Sequence, residues 1–312
     1  MLLNIAKTTA LVALTAYTLN AADFNAQAEK DRIALVKYFE AKFEDPLKNR
    51  NTFFPYSTDD ELENNIMSGL KFEDFSKGNY SFSKNGRMSY DEIKEMPPYE
   101  EFVEKGEALY EKPFANGKSF KDCFPDPSQA GVMYPYFDET KKDVQTLTVA
   151  INECLVANGE KPWKTSKGPI AHLEAFFAQS AQDAEKVIDV KIDSATAAEA
   201  YERGKEYYYT QRGYLKLNCA ECHVIGAGQR VRNESLSPFL GQVTHFPVYR
   251  LKWAASDKNN DGLGTLERRM SGCIKDQGQV PPKDDSRDMK ELLFFMAYMS
   301  NGMKIDGPDI RK

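Results

Sequence analysis

Beyond its first twenty residues, the 312-residue sequence lacks any hydrophobic run that resembles a membrane span. A spanning helix needs about 20 apolar residues, and the mean hydropathy here is −0.58. The sequence also lacks an excess of positive charge, since 41 basic and 47 acidic residues give a formal net charge of −6. This balance disfavours nucleic acid as a partner.

The N-terminus has the pattern of a secretory leader. Lys7 is the only charge before Asp23, and the apolar run 8–19 is too short to cross a bilayer and is followed by two alanines. We predict a signal peptide over residues 1–21, export to the periplasm, and no membrane span in the mature chain. A retained anchor or a buried first helix is the alternative interpretation.

The segment Cys-Ala-Glu-Cys-His at 219–223 carries the strongest chemical signal. Two thiols separated by two residues can each add to one porphyrin vinyl group, and the next residue, a histidine, is then placed beneath the iron. We therefore predict one covalently bound haem c, attached at Cys219 and Cys222, with His223 as an axial ligand. A thioredoxin-like redox pair or a zinc half-site is the competing interpretation, but neither explains the histidine or the exported context.

Shared landmarks divide the chain into two similar segments. When Cys154 is aligned with Cys273, two pairs lie at equal distances from the cysteines, Thr146 and Thr265 and Pro162 and Pro281. Three more landmarks occur in the same order at similar places: Phe176 and Phe294, Pro135 and Pro247, Gly106 and Gly204. Such agreement indicates two copies of one supersecondary unit. We predict a mainly α fold with two cytochrome c-like domains related by an internal repeat. The first, at 99–182, lacks haem; the second, at 183–312, carries it; an N-terminal extension occupies 22–98.

Helix signals are clearest on either side of the haem motif. The pattern predicts a helix at 197–211 with Thr196 as its N-cap, and a closing helix at 285–300 that begins at Asp285 or Ser286. Two such helices crossing beside the haem edge are typical of small cytochromes. The N-terminal extension is interpreted as polar and loop-rich around one charged helix, without a chemical role.

Three of the five cysteines lie outside the haem motif. Cys123 falls close to the place where the second segment has its attachment cysteines, and Cys154 corresponds to Cys273. In a haem-bearing copy those two positions face the same iron, so in a haem-less copy their side chains come within bonding range. We predict a Cys123–Cys154 disulfide, which stabilises the first domain by about 3 kcal/mol through loop closure. Two unpaired buried thiols are the alternative.

The sixth ligand of the iron decides what such a cytochrome does. Electron-carrying cytochromes of this layout usually have a methionine there, and Met270 is one candidate. The repeat favours Cys273 instead, because its counterpart is the cysteine assigned to the disulfide. An anionic thiolate stabilises ferric iron and makes a poor general electron carrier, which suggests that the sulfur itself reacts.

A basic residue stands close to this cysteine in the sequence. A helix over 266–272 would place Arg269 on the same face as Cys273, where a guanidinium lowers the thiol pKa and can bind an oxyanion such as thiosulfate. Weaker candidates for the lining of the same pocket are Arg250, Lys252 and His245.

Three segments, 219–223, 244–250 and 267–273, resemble the SoxA family, the cytochrome subunits of the SoxAX complexes of sulfur oxidation. The resemblance extends over about residues 100–300. It implies a periplasmic L-cysteine S-thiosulfotransferase, which joins thiosulfate to a cysteine of the carrier protein SoxYZ while two electrons leave through haem. It also implies a heterodimer with the small cytochrome SoxX.

The resemblance assigns roles to individual residues. It implies that His223 and Cys273 ligate the iron, that Cys273 is modified to a persulfide, and that Arg269 binds the anionic substrate. Many members carry two haems, whereas the first segment here has no attachment motif, so the chain resembles the single-haem subgroup. Two other functions stay open: a thiosulfate dehydrogenase that forms tetrathionate, and a non-catalytic electron carrier in which Met270 binds the iron.

Overall fold

The structure, a computed structural model, describes residues 21–231 and 234–311. It confirms the mainly α class, with these helices: α1 (Ala21–Glu44), α2 (Arg50–Phe53), α3 (Asp59–Asn65), α4 (Lys84–Glu95), α5 (Glu100–Glu111), α6 (Phe120–Cys123), α7 (Pro127–Met133), α8 (Leu147–Ala157), α9 (Pro169–Asp183), α10 (Ala195–Tyr209), α11 (Leu251–Ala254), α12 (Leu266–Asp276) and α13 (Arg287–Met299). A 3₁₀ segment spans Phe72–Tyr80 and a single π-helical turn spans Glu221–Ile225. None of the helices in the described part of the chain is both long and apolar enough to cross a membrane. The predicted leader lies almost wholly outside the described residues.

The structure also contains short strands that pair in small sheets. They are β1 (Tyr136–Asp138), β2 (Asp143–Gln145), β3 (Arg230–Val231), β4 (Glu234–Ser235), β5 (Val248–Arg250), β6 (Leu263–Gly264) and β7 (Asp309–Arg311). In the three-stranded sheet, β5 lies between β6 and β7, and Tyr249 pairs with Ile310 in parallel register. The sheet therefore fastens the C-terminus beside the segment that leads into α12.

The same kind of helix crossing occurs in both segments. A Cβ atom at Gly106 of α5 would lie 2.0 Å from the carbonyl oxygen of His172 in α9. A Cβ atom at Gly204 of α10 would lie 2.1 Å from the carbonyl oxygen of Glu291 in α13. In each case the glycine lets two helix backbones approach closely. The internal repeat itself stays a prediction. The boundaries at 99–182 and 183–312 stay a prediction.

The N-terminal extension differs from its sequence interpretation. Instead of a loop-rich segment it forms helices α1 to α4 and supplies a cluster of fully buried rings: Phe39, Phe43, Phe54, Phe75 and Phe82. These rings contact one another at centroid distances such as 5.1 Å for Phe43 and Phe82, and they join the same hydrophobic core as α10 and α13. Helix α1 has an apolar stripe at helical spacing, which is difficult to recognise in the sequence because charged residues of the exposed face lie between its members. The extension is therefore part of the core of the second segment.

Helix ends agree with the sequence patterns in part. Ser286 caps α13, and its side chain accepts a hydrogen bond from the backbone N–H of Met289. The helix before the haem motif begins two residues earlier than expected, because Ser194 rather than Thr196 accepts the capping bond from Ala197. Both residue types cap helices well, so the sequence could not separate them.

Candidate functional site

The segment 219–223 begins in a rigid local setting. Asn218 and Glu221 form reciprocal hydrogen bonds: the backbone N–H of Glu221 donates to Asn218 Oδ1 at 2.9 Å, and the backbone N–H of Asn218 donates to Glu221 Oε2 at 3.1 Å. The π-helical turn follows directly and carries Cys222 and His223. These hydrogen bonds hold the backbone of the segment that carries the two thiols and the imidazole.

A hydrogen bond to a backbone carbonyl oxygen fixes the tautomer of His223. Its Nδ1–H donates to the carbonyl oxygen of Ser237 at 2.9 Å, so Nε2 keeps its lone pair for a metal. Burial lowers the pKa of His223 to about 4, and the positive charge of Arg269 acts in the same direction. The imidazole is therefore neutral near pH 7, as an iron ligand must be. Ser237 was not identified from the sequence, because nothing in the local pattern links it to His223.

Three free thiols converge on one space. Cys219, Cys222 and Cys273 are each partly buried and unpaired in the described chain. The pKa of Cys219 is raised to about 12, first by burial and then by the nearby Cys273. Burial and Cys273 also raise the pKa of Cys222. Helix α12 therefore brings Cys273 close to both attachment cysteines, although 51 to 54 positions separate them in the sequence.

Tyr208 closes one side of this space. Its ring stacks on Phe239 with centroids 4.0 Å apart, and its buried hydroxyl has no hydrogen-bond partner among the described residues. Burial raises the pKa of Tyr208 well above its ordinary value, and the three thiols contribute to the rise. Nothing in the sequence pointed to this role of Tyr208 beyond its place in a run of tyrosines in a helix.

The two adjacent arginines of α12 have different surroundings. Arg268 donates to the carbonyl oxygen of Leu263 at 2.9 Å, and its guanidinium lies 3.9 Å from the ring centroid of Trp253. Arg269 is partly buried, and its charge reaches His223. Arg268 thus supports the fold, while the positive charge of Arg269 acts on the imidazole of His223.

The weaker candidates are dispersed. Arg250 lies at the end of β5, with its guanidinium 5.5 Å from the Trp253 ring, and Lys252 is exposed on α11. His245 is buried, and Arg311 and Lys94 are the charged groups that lower its pKa after burial. The structure therefore does not bring His245 and Lys252 to the thiols.

Met270 and the first-segment cysteines complete the set of candidate residues. Met270 is partly buried and packs against the main hydrophobic core. Cys123 and Cys154 form a disulfide with Cα atoms 6.1 Å apart. Asn158 donates to the Cys154 carbonyl oxygen at 2.8 Å, which holds the end of α8 at this bridge.

The donor set fits a covalently attached haem. Two free thiols are available for thioether bonds, a neutral imidazole offers Nε2, and a third sulfur approaches from a different helix. No cluster of three or more His, Cys, Asp or Glu side chains in the described part of the chain has the geometry of a separate metal site. The groups are those that hold iron through a porphyrin.

Fold and site together define a c-type cytochrome. Residues 105–185 match the family model described as SoxA/TsdA, cytochrome c domain. The L-cysteine S-thiosulfotransferase subunit SoxA of Chlorobaculum tepidum is 46% identical over 78% of this chain and 82% of its own length. The SoxA subunit of Allochromatium vinosum is 38% identical over 77% of this chain and 83% of its own. The chain belongs to the SoxA family, as its sequence motifs predicted.

A solved structure agrees with this assignment. The crystal structure of SoxXA from P. pantotrophus superposes with a TM-score of 0.63 at 28% identity, covering 72% of this chain and 84% of the other. The predicted cytochrome c fold is thereby confirmed, and a cytochrome c domain implies haem c.

Proposed function

We propose that this chain is the catalytic subunit of a haem-dependent L-cysteine S-thiosulfotransferase. It joins thiosulfate to a cysteine of a carrier protein like SoxYZ, and two electrons leave through haem c. The observation that carries this proposal is the placement of Cys273 and Arg269 on one helix against the attachment cysteines and His223. The curated relatives bear the name of this activity.

One haem c is held by this chain. Cys219 and Cys222 would form its thioether bonds, and His223 Nε2 and Cys273 Sγ would bind its iron. The bound group supplies a one-electron acceptor that can pass electrons onward. A second haem has no attachment site in the first segment, because Cys123 and Cys154 are bonded to each other.

The proposed transfer is a two-electron oxidation of the two sulfur atoms that it joins. The sulfane sulfur of thiosulfate and the thiol sulfur of the carrier cysteine form one new S–S bond, the thiol loses its proton, and two electrons are removed. Arg269 binds the sulfonate oxygens through charge-assisted hydrogen bonds, while the partly exposed Cys273 lies within reach of a carrier arm. A persulfide on Cys273 would give the site its reactive sulfur.

Partner and compartment follow from the same family membership. The solved neighbour is a SoxXA complex, which supports a heterodimer with a small SoxX-like cytochrome that receives the electrons. The leader over 1–21 directs the chain to the periplasm, where the Cys123–Cys154 disulfide can form. Formation of tetrathionate from two thiosulfates is a second candidate function, because a similar haem with a cysteine ligand could serve both reactions.

Mass spectrometry of the native protein combined with one assay tests the proposal. We expect one haem mass on the mature chain, and a Cys273 peptide heavier by one sulfur atom. With a carrier protein present, thiosulfate should be consumed with modification of the carrier cysteine and without release of tetrathionate. A Cys273 that is freely alkylated in active native protein would contradict the catalytic assignment, and tetrathionate formation without a carrier would favour the dehydrogenase.

A further inference from the structure

Helix α1 of the N-terminal extension places a fully buried lysine against the haem-attachment turn. Lys42 has 0% of its surface exposed. Its Nζ donates to the carbonyl oxygen of Ile225 at 2.6 Å and to that of Val224 at 3.3 Å. These are the two residues that follow His223, so the ammonium group binds the C-terminal end of the turn that carries the axial ligand.

The surroundings of this ammonium group are apolar. The ring centroids of Phe54 and Phe43 lie 5.0 and 5.6 Å from Nζ. Burial lowers the pKa of Lys42 to about 7, and no carboxylate among the described residues contributes to the shift. A buried cation without an acidic partner destabilises a fold unless its neighbours supply negative partial charge. Here the carbonyl oxygens of the turn and the faces of the two rings do so.

A second contact holds the same loop. A Cβ atom at Gly228 would lie 3.0 Å from the Phe43 ring, so the backbone after the turn runs directly over α1. The backbone N–H of Gly226 also donates to the Glu221 carbonyl oxygen at 2.9 Å and closes the turn. Residues 224–228 are therefore held between the extension and the attachment motif.

We propose that Lys42 is a positioning residue of the haem site, which fixes the turn behind His223 and places a positive charge on that side of the iron. The inference rests on the proposed attachment of haem at Cys219 and Cys222. A nearby positive charge stabilises the form of the centre with one more electron, and it acts strongly where water is excluded. The extension thus tunes the reduction potential of a haem to which it contributes no ligand.

The test uses the full chain matured with haem in a periplasm and compares Lys42→Met with wild type at pH 6, where the ammonium is charged. Methionine keeps the length of the side chain and excludes water but removes the charge. We expect normal haem content by intact mass and a midpoint potential more negative than that of wild type in a spectroelectrochemical titration. Lys42→Arg, which keeps the charge, should restore most of the difference.

Two controls separate charge from packing. Lys37→Met changes an exposed lysine of the same helix and should leave the potential unchanged. Phe54→Leu loosens the packing around Lys42 but retains the charge, so it should lower stability with little change in potential. If Lys42→Met does not accumulate, Lys42→Gln serves as the neutral variant. An unchanged midpoint potential in a haem-loaded neutral variant would overturn the proposal, whereas absence of haem from the wild type would refute the attachment itself.

Discussion

Two buried carboxyl groups meet in a cavity of about 90 Å³ between the two segments, and they should make stability depend on pH. Glu267 of α12 and Glu174 of α9 both line it, together with Tyr134. Burial raises the pKa of Glu267 to about 7, although Thr148 donates a hydrogen bond to its Oε1 at 2.6 Å. Burial, and then the charge of Glu267, raise the pKa of Glu174 well above its ordinary value.

The free energy involved follows from the pKa of Glu267. The ordinary pKa of this carboxyl group, taken for the unfolded chain, is 4.5, and burial raises the pKa to about 7 in the folded chain. Each tenfold difference in proton affinity is about 1.4 kcal/mol, so ionised Glu267 destabilises the fold by about 3 kcal/mol above pH 7. Below pH 4.5 the group is protonated in both states and has no effect. The penalty therefore develops as the pH rises from about 4.5 to 7.

The variant Glu267→Gln keeps an oxygen for Thr148 but cannot ionise. We expect its free energy of unfolding to exceed that of wild type by up to about 3 kcal/mol at pH 8 and to match it at pH 4. Urea denaturation of the haem-loaded protein, followed by circular dichroism from pH 4 to 8, measures the difference. The exposed Glu104→Gln variant is the control and should follow wild type throughout. A Glu267→Gln protein that is less stable than wild type at pH 8 would refute the reasoning.

Three further predictions concern the disulfide, a helix crossing and the proposed substrate site. Replacing both Cys123 and Cys154 by Ser should lower the free energy of unfolding by about 3 to 4 kcal/mol, because the bridge closes a loop across 31 positions; an unchanged urea midpoint would contradict this. Gly204→Ala should destabilise by at least about 2 kcal/mol because its Cβ would lie 2.1 Å from a carbonyl oxygen, whereas Gly272→Ala, with nothing within 4 Å, should not destabilise in the same thermal melt. Arg269→Ala should reduce thiosulfate turnover about 10-fold or more and Arg269→Lys less, with the haem absorption spectrum nearly unchanged; a large spectral change would show a structural role.

Local patterns were sufficient for the features that depend on nearby residues. The attachment motif is contiguous, and the closing helix carries its cap, Ser286, directly before its first turn. The local sequence also predicted a helix over 266–272 that puts Arg269 on the face of Cys273, and the structure has both residues on α12. These features could be predicted because helix periodicity and capping act over a few residues.

Contacts between distant segments could not be predicted in this way. Lys42 and Val224 are 182 positions apart, and the sequence indicated only a charged helix in this part of the extension. Glu267 likewise lies between basic and apolar residues in the sequence, and only the packing of α9 against the β6–α12 region buries it beside Glu174. Burial of a charged group is a tertiary property, so composition and spacing favour the exposed interpretation for such residues.

The cysteines of the two segments are in different states, and under the proposed function this difference explains why the chemistry would belong to the second segment. In an oxidising compartment, neighbouring thiols tend to pair, as Cys123 and Cys154 do. Cys273 lies close to Cys219 and Cys222, so it would face the same outcome if those thiols remained free. Under the proposed attachment, both become thioethers and can no longer form a disulfide. Covalent haem binding therefore leaves Cys273 as the single reactive sulfur beside Arg269, which a noncovalent haem at the same place would not do.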